Sequence, residues 1–284
     1  MIHFFVAQTQ NTNLVAGVSL CAPIFTLMIA LGDIFGIGGS SVISRLFGQK
    51  QDEEGKNVSG FCFYGAIVCG ILVSLIMMIA RKPILTILGT NQATLPYASQ
   101  YYTYMALGAT LIIVSLTPSN LMRTEGLATE SMIGTITGSI INMILDPIFI
   151  YTLNLGIAGA AIATLISIFI ELLVILYWMF IKKDTYFKYT FKNFKINLGM
   201  YKEILNVGIP AGLEELLMAV VAIAVNLIFE IVGGTSAVAT YTIVMRLISI
   251  AIMPTIGIAT STITVVGIAY GAKNYKNIKI ATRY

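Results

Sequence analysis

The sequence predicts an all-α bundle of helices that span a membrane several times. Of its 284 residues, 57% are hydrophobic and only 11% are charged, and the mean hydropathy is +0.87. A soluble domain carries about 25% charged residues, so these are too few to cover so large an apolar core. The apolar runs also lack the strict alternation of a membrane β-barrel. We therefore expect no enzymatic activity, no organic cofactor and no nucleic-acid partner.

Seven segments are long and apolar enough to cross the hydrocarbon layer, which takes about 20 residues of helix. A further apolar piece, Met1–Gln8, is too short to cross and is interpreted as the end of another helix. The seven predicted spans are Leu14–Arg45, Asn57–Ala80, Tyr97–Thr117, Thr129–Thr152, Ile157–Ile181, Ile204–Val232 and Ala237–Tyr270.

The basic residues lie mostly on one side of this topology. Connections after the first, third, fifth and seventh spans hold 14 of the 17, whereas the other side has Arg81 and Lys82, and Arg246 lies within a span. Cytoplasmic loops are enriched in lysine and arginine. We therefore expect a multi-pass protein of the cell membrane with these loops in the cytoplasm. Six lysines after the fifth span either meet anionic lipid headgroups or belong to a solvated linker.

Two parts of the chain resemble each other at an offset of 223 residues. The offset aligns Phe47-Gly48-Gln49-Lys50 with Tyr270-Gly271-Ala272-Lys273, and the hydropathy of the preceding helices agrees. Transporters are often built from such repeats. We expect an amino-terminal lobe over 1–181, a basic linker over 182–203, and two helices of a second, truncated lobe over 204–284. The chain is interpreted as an incomplete piece of a twelve-helix protein.

Five motifs follow one another along the chain. They are Gly36-Ile37-Gly38-Gly39-Ser40-Ser41 through Ser44-Arg45-Leu46-Phe47-Gly48, Arg123-Thr124-Glu125-Gly126, Asn142-Met143-Ile144-Leu145-Asp146-Pro147-Ile148-Phe149-Ile150, Gly156-Ile157-Ala158-Gly159-Ala160-Ala161-Ile162-Ala163-Thr164 and Gly208-Ile209-Pro210. In this order and spacing they resemble the multidrug and toxic compound extrusion (MATE) family. The resemblance implies a monomeric antiporter of two lobes, which exports small organic, often cationic compounds in exchange for Na⁺ or H⁺.

The resemblance also implies an ion-linked site in the amino-terminal lobe. Asn142, Asp146 and Thr164 match three of the family's site residues, an Asn and an Asp on the fifth helix and a Thr on the sixth. The family's first-helix aspartate would fall near Ile2 or His3, where this sequence has no acid.

The residues themselves also point to Asp146. It lies in an otherwise uncharged stretch, and a carboxylate within a membrane costs about 2.5–3.5 kcal/mol on insertion scales. Such a group faces a wet cavity, binds a cation or stays protonated. Thr135, Ser139, Asn142 and Asp146 are spaced 4, 3 and 4 apart, which predicts one polar stripe on a helix. Na⁺ is the only metal ion that we expect at this site. The alternative to a role in ion binding is that Asp146 pins a neighbouring helix.

Three further charged residues lie inside predicted spans. Glu171 shares a helix face with Thr164, seven residues earlier, and is either a second site residue or the partner of an unidentified base. Asp33 and Arg246 either line a cavity or form an ion pair between the lobes; the sequence does not decide between these.

The carboxy-terminal part has acids of its own. Glu214 and Glu215 follow Pro210, and Glu215 lies on a second polar stripe with Asn226. These residues predict either a second coupling or cation-recognition site, or a solvated helix entrance, where acids favour the helix N-terminus.

Two other functions remain open at this point. A flippase of lipid-linked oligosaccharides can share the architecture, but its pyrophosphate should require several cations in the cavity, and only Arg246 lies deep in a span. An inactive membrane remnant is the other alternative, and the missing first-helix acid supports it.

Overall fold

The structure is a computed structural model, and it describes residues 12–181 and 198–283. Within these ranges the chain forms helices and turns and no strands, which confirms the predicted all-α class. The predicted helix remnant Met1–Gln8 and most of the predicted basic linker lie outside the described residues.

The described helices follow the predicted order. In chain order they are α1 (Thr12–Gly48), α2 (Asp52–Ile79), α3 (Arg81–Ile87), α4 (Leu95–Thr124), α5 (Ala128–Pro147) with a π-helical turn (Ile148–Thr152), α6 (Gly156–Phe180), α7 (Leu198–Gly271) and α8 (Tyr275–Ala281).

Seven stretches of these helices are long and apolar enough to cross a membrane, as predicted. They are Leu14–Gly48, Asp52–Ile79, Leu95–Thr124, Ala128–Thr152, Gly156–Phe180, Gly199–Val225 and Leu247–Gly271.

Several helix boundaries differ from the prediction. The predicted spans Ile204–Val232 and Ala237–Tyr270 lie on one helix, Leu198–Gly271, which begins within the predicted linker 182–203. Two other boundaries differ for physical reasons. The second helix begins at Asp52 rather than Asn57, because acids in its first turn suit the positive end of the helix dipole. The next long helix was predicted to end at Thr117, but α4 continues through Pro118 to Thr124. A membrane helix tolerates a proline where neighbouring groups compensate for the lost hydrogen bond.

Close contacts of small residues hold the amino-terminal helices together. Gly32 of α1 leaves no room for a side chain, because an added Cβ would lie 2.9 Å from the Ile113 carbonyl oxygen of α4. Gly70 of α2 packs in the same way on Thr110 of α4. Such glycines let helix backbones approach within a membrane, where apolar surface alone does not drive association. The central helix α4 is accordingly largely buried.

The first part of α7 runs antiparallel to α1. Gly208 packs on Ile34, and Gly212, one turn later, packs on Ala30, one turn earlier. Leu198–Gly271 contains 74 residues and would measure roughly 110 Å if it were straight.

The last part of α7 runs parallel to α1 instead. Gly267 packs on Ser44, and one turn further Gly271 packs on Gly48. The chain therefore reverses its direction between Gly212 and Gly267, and both ends of α7 meet the same end of α1. This end, which also carries Arg45 and Arg123, is called the basic end below.

Candidate functional site

The Asp146 side chain is completely buried in the last turn of α5. Its Oδ1 accepts a hydrogen bond of 3.3 Å from Nδ2 of Asn142, one turn earlier. Its Oδ2 is buried and has no hydrogen-bond partner among the described residues. An unsatisfied buried carboxylate oxygen is costly, and a bound cation or a proton would remove that cost.

The backbone next to Asp146 departs from a regular α-helix. Pro147 has no amide hydrogen, so the carbonyl of Met143 loses its usual helical donor. The π-helical turn Ile148–Thr152 follows, and such turns are frequent at functional sites. Carboxylate, amide and backbone carbonyl oxygens are the ligand types that suit a hard cation.

Thr164 lies opposite this region on α6. Gly138 packs on Ser167, and Phe149 packs on Gly159, which fixes the antiparallel register of α5 and α6. This register places Thr164 opposite the stretch 141–145 of α5, which contains Asn142. The Thr164 hydroxyl donates to the Ala160 carbonyl in its own helix, at 2.9 Å. The structure thus places Thr164 near the candidate site but shows its hydroxyl bonded within α6.

The predicted polar stripe on α5 separates into two pairs. Asn142 and Asp146 form the first pair, and Thr135 forms the second with Glu171 of α6, at 3.1 Å between Oγ1 and Oε1. Ser139 lies between them but is exposed. The face of α5 that carries Gly134 and Gly138 is buried against α6, whereas Ser139 lies on a different face and is exposed.

Asp33 is held within the amino-terminal lobe. Its Oδ1 accepts a hydrogen bond of 3.3 Å from Nδ2 of Asn120 on α4, and the same amide donates to the Leu116 carbonyl at 3.1 Å. The charge of Glu215 on α7 acts on the Asp33 carboxyl across the junction of the two lobes.

The structure describes the predicted second site on α7 only in part. Glu214 and Glu215 are both exposed on α7. The side chains of Asn226 and Arg246 lie outside the described residues, so an ion pair between Asp33 and Arg246 remains untested.

The sequence reasoning missed two features of the lobe junction. A guanidinium nitrogen of Arg45 on α1 lies 2.9 Å from Oε2 of Glu203 on α7, which joins the lobes at the basic end. Beside it the rings of Phe61 and Tyr201 stack with their centroids 3.6 Å apart. Asn120 was also missed, because the predicted span ended at Thr117, three residues before it. Within the described residues no group of three His, Cys, Asp or Glu could hold a metal ion.

Comparison with known proteins identifies the family. The MatE family model matches residues 1–148 and 210–284. The chain belongs to this family. Among the relatives of this MatE chain is the multidrug export protein MepA of Staphylococcus haemolyticus, which is 36% identical over 246 residues. The protein of the same name from Staphylococcus aureus (strain NCTC 8325 / PS 47) is 35% identical over 246 residues. Each alignment covers 86% of this chain and 54% of the relative, so the chain spans about half the length of these relatives.

Solved structures confirm the predicted MATE-type helical fold. The outward-facing conformation of a multidrug resistance MATE family transporter of the MOP superfamily superimposes with a TM-score of 0.92 at 33% identity, over 100% of this chain and 62% of that one. A MATE structure in the bent conformation gives the same TM-score and identity and is covered to 63%. The chain is therefore a multi-pass membrane protein of the MATE type.

Proposed function

We propose that this chain forms part of a secondary antiporter that exports organic, often cationic and amphipathic compounds in exchange for Na⁺ or H⁺. The observation that carries the proposal is the buried Asp146 carboxylate, with one oxygen bonded to Asn142 and the other unpartnered among the described residues. The relatives named as multidrug export proteins support the same substrate class.

Asp146 couples the ion to the lobe motion through its unpartnered oxygen. A Na⁺ ion or a proton that reaches Oδ2 neutralises the carboxylate and removes the cost of its burial. If the site binds the ion more tightly in one orientation of the lobes than in the other, the ion shifts the equilibrium between them. An organic cation that favours the opposite orientation is then exported as the ion enters.

The location and partners follow from the same proposal. We place the protein in the cell membrane with the basic end in the cytoplasm, because lysine and arginine are enriched on that side of membrane proteins. Its partners are a small organic substrate and the surrounding lipids, and it works as a monomer that carries out no enzymatic reaction.

The two alternatives receive less support. A flippase of lipid-linked oligosaccharides would handle a pyrophosphate, whereas the charged residues at the described lobe junction include the carboxyls of Asp33 and Glu215. In an inactive remnant, a buried carboxylate without a ligand would lower the stability of the protein and serve no function.

The test replaces Asp146 by Asn in the full-length protein. Ethidium efflux from cells is measured with imposed Na⁺ or pH gradients, so that the driving gradient identifies the ion. We expect loss of gradient-driven efflux at unchanged expression. Asp52→Asn, which neutralises an exposed carboxylate of the same lobe, is the matched control and should retain efflux. Unchanged efflux in Asp146→Asn would remove this residue from the mechanism.

A further inference from the structure

Glu171 is a second acid within the membrane-spanning part of the amino-terminal lobe. It lies nine residues before the end of α6 at Phe180, roughly 13 Å from the basic end of that helix. The ion pairs among the described residues join Arg45 to Glu203 and Lys56 to Glu53, and neither involves Glu171. An intramembrane carboxyl without a fixed counter-charge is expensive, and by default it indicates a function.

The hydrogen bonds of Thr135 suit Glu171 in both of its protonation states. The Thr135 hydroxyl lies 3.1 Å from Oε1 of Glu171 and 3.2 Å from the Ser131 carbonyl oxygen. A threonine hydroxyl has one hydrogen but two acceptor lone pairs. When Glu171 is charged, that hydrogen points to the carboxylate. When Glu171 is protonated, its own O–H donates to Thr135, whose hydrogen turns to the Ser131 carbonyl.

Two glycines of α5 make room for this carboxyl. A Cβ at Gly138 would lie 2.9 Å from Cβ of Glu171 and 3.1 Å from its Oε2. A Cβ at Gly134, one turn away, would lie 2.6 Å from Ile175. This Gly-x-x-x-Gly spacing lets α6 approach α5 closely. Glu171 is therefore held against α5 rather than turned to the lipid.

A row of polar groups connects this position with the basic end. The hydroxyls of Ser131 and Ser119 lie 2.9 Å apart, and the Arg123 guanidinium donates to the Ser131 hydroxyl at 3.3 Å. Arg123 itself is exposed at the basic end. Ser131 thus contacts both Thr135, through its carbonyl, and Arg123, through its hydroxyl.

Few charges compete at this position. On the helices packed against α6, Arg123 of α4 acts electrostatically on Glu171. On α5, Asp146 lies three turns beyond Thr135, and Glu130 lies in the first turn of the helix. Burial, the Thr135 hydroxyl and the charge of Arg123 therefore act together on the protonation of Glu171.

We propose that Glu171 is a second proton-binding carboxyl group of this lobe, separate from Asp146, with Thr135 as its hydrogen-bond partner in both the charged and the protonated state. This inference goes beyond the proposed export function. It assigns a proton-binding role to a residue that the Asp146 mechanism does not use.

The test records infrared difference spectra of the purified full-length protein as the pH is lowered stepwise, without substrate. A protonated carboxyl shows a carbonyl stretching band that a carboxylate lacks. We expect such a pH-dependent band, its loss in Glu171→Gln, and its shift to higher frequency in Thr135→Val, because the acid then has no hydroxyl to donate to. Thr137→Val is the matched control, since the Thr137 hydroxyl donates to Ile133 of its own helix.

The outcomes separate this proposal from the export mechanism. In Asp146→Asn the Glu171 band should persist even where efflux is lost, whereas failure of the export proposal alone would leave the band and its response to Thr135→Val unchanged. The proposal is overturned if Glu171→Gln retains the whole pH-dependent signal, or if Thr135→Val and Thr137→Val give the same spectrum.

Discussion

Gly48 of α1 and Gly271 of α7 pack directly against each other at the basic end. A Cβ added to Gly48 would lie 2.9 Å from the Cα of Gly271 and would overlap the Ile268 carbonyl. A Cβ added to Gly271 would overlap the Arg45 carbonyl. The offset of 223 residues that relates the two glycines also relates Arg45 to Ile268. The contact is therefore reciprocal, as at an interface with two-fold symmetry.

A side chain at this contact should drive the lobes apart at the basic end. In Gly48→Ala the new methyl group meets backbone atoms, which cannot rotate away as a side chain can. Overpacking of this kind costs about 1–3 kcal/mol. It should lower the population of the closed arrangement, in which the lobes contact each other at the basic end, by roughly 5- to 150-fold. Spin–spin distances between labels on the two lobes of the full-length protein would measure the change. Gly60→Ala should leave the distances unaltered, since its Cβ meets nothing within 4 Å.

The ion pair between Arg45 and Glu203 should also stabilise the contact of the lobes at the basic end. This contribution should be smaller than that of the glycines and should depend on salt. The two side chains are 32% and 55% exposed, and such pairs contribute about 0.2–1 kcal/mol. Glu203→Gln should therefore lower the closed population by at most about fivefold, with a smaller effect at high salt.

Two variants check that the Arg45–Glu203 pair acts as a pair. The double exchange Arg45→Glu with Glu203→Arg should restore much of the closed population. Glu53→Gln breaks the ion pair that Glu53 forms with Lys56 within α2 and should leave the lobe distances unaltered. An equal effect of Glu53→Gln and Glu203→Gln would contradict the assignment.

Asn120 should stabilise the amino-terminal lobe by satisfying Asp33. Its amide is the hydrogen-bond donor to the Asp33 carboxyl, and hydrogen bonds to charged groups contribute about 1.5–3 kcal/mol. Asn120→Ala should lower the thermal stability of the purified full-length protein accordingly. Thr103→Val on the same helix loses only a bond to its own turn, at Ser99, and should have little effect.

Glu215 should strengthen the binding of organic cations at the lobe junction. It acts on Asp33 from the opposite lobe, so the two carboxyls together attract positive charge. Glu215→Gln should weaken tetraphenylphosphonium binding about fivefold, the effect of about 1 kcal/mol of screened attraction. Its neighbour Glu214, for which no such interaction with Asp33 is seen among the described residues, supplies the control Glu214→Gln. Equal weakening by both variants would show that only the overall charge matters.

The fold was predictable because membrane spans depend on length and hydropathy along a single stretch of sequence. The exact ends of the helices were harder to predict from the sequence. The span was predicted to end at Thr117, whereas α4 continues through the buried Pro118 to Thr124, because a membrane helix tolerates a proline where neighbouring groups compensate for the lost hydrogen bond.

The site was predictable only where its contacts lie within one helix. The spacing of Asn142 and Asp146 by one turn gives their hydrogen bond directly. Thr135 and Glu171 were both named, but their pairing depends on the register of α5 against α6, which Gly134 and Gly138 set. The partners Arg45 and Glu203 are 158 residues apart, and no local pattern connects them.

The reciprocal contact of Gly48 and Gly271 has an evolutionary consequence. Gly48 contacts Ile268, and Gly271 contacts Arg45, which is the residue equivalent to Ile268 in the first repeat. Two identical single-lobe proteins would therefore form the same contact as a homodimer, before gene duplication and fusion joined them. A mutation at this place in such an ancestor would have acted twice in every dimer. After fusion, a mutation in one copy would act on one side of the contact alone.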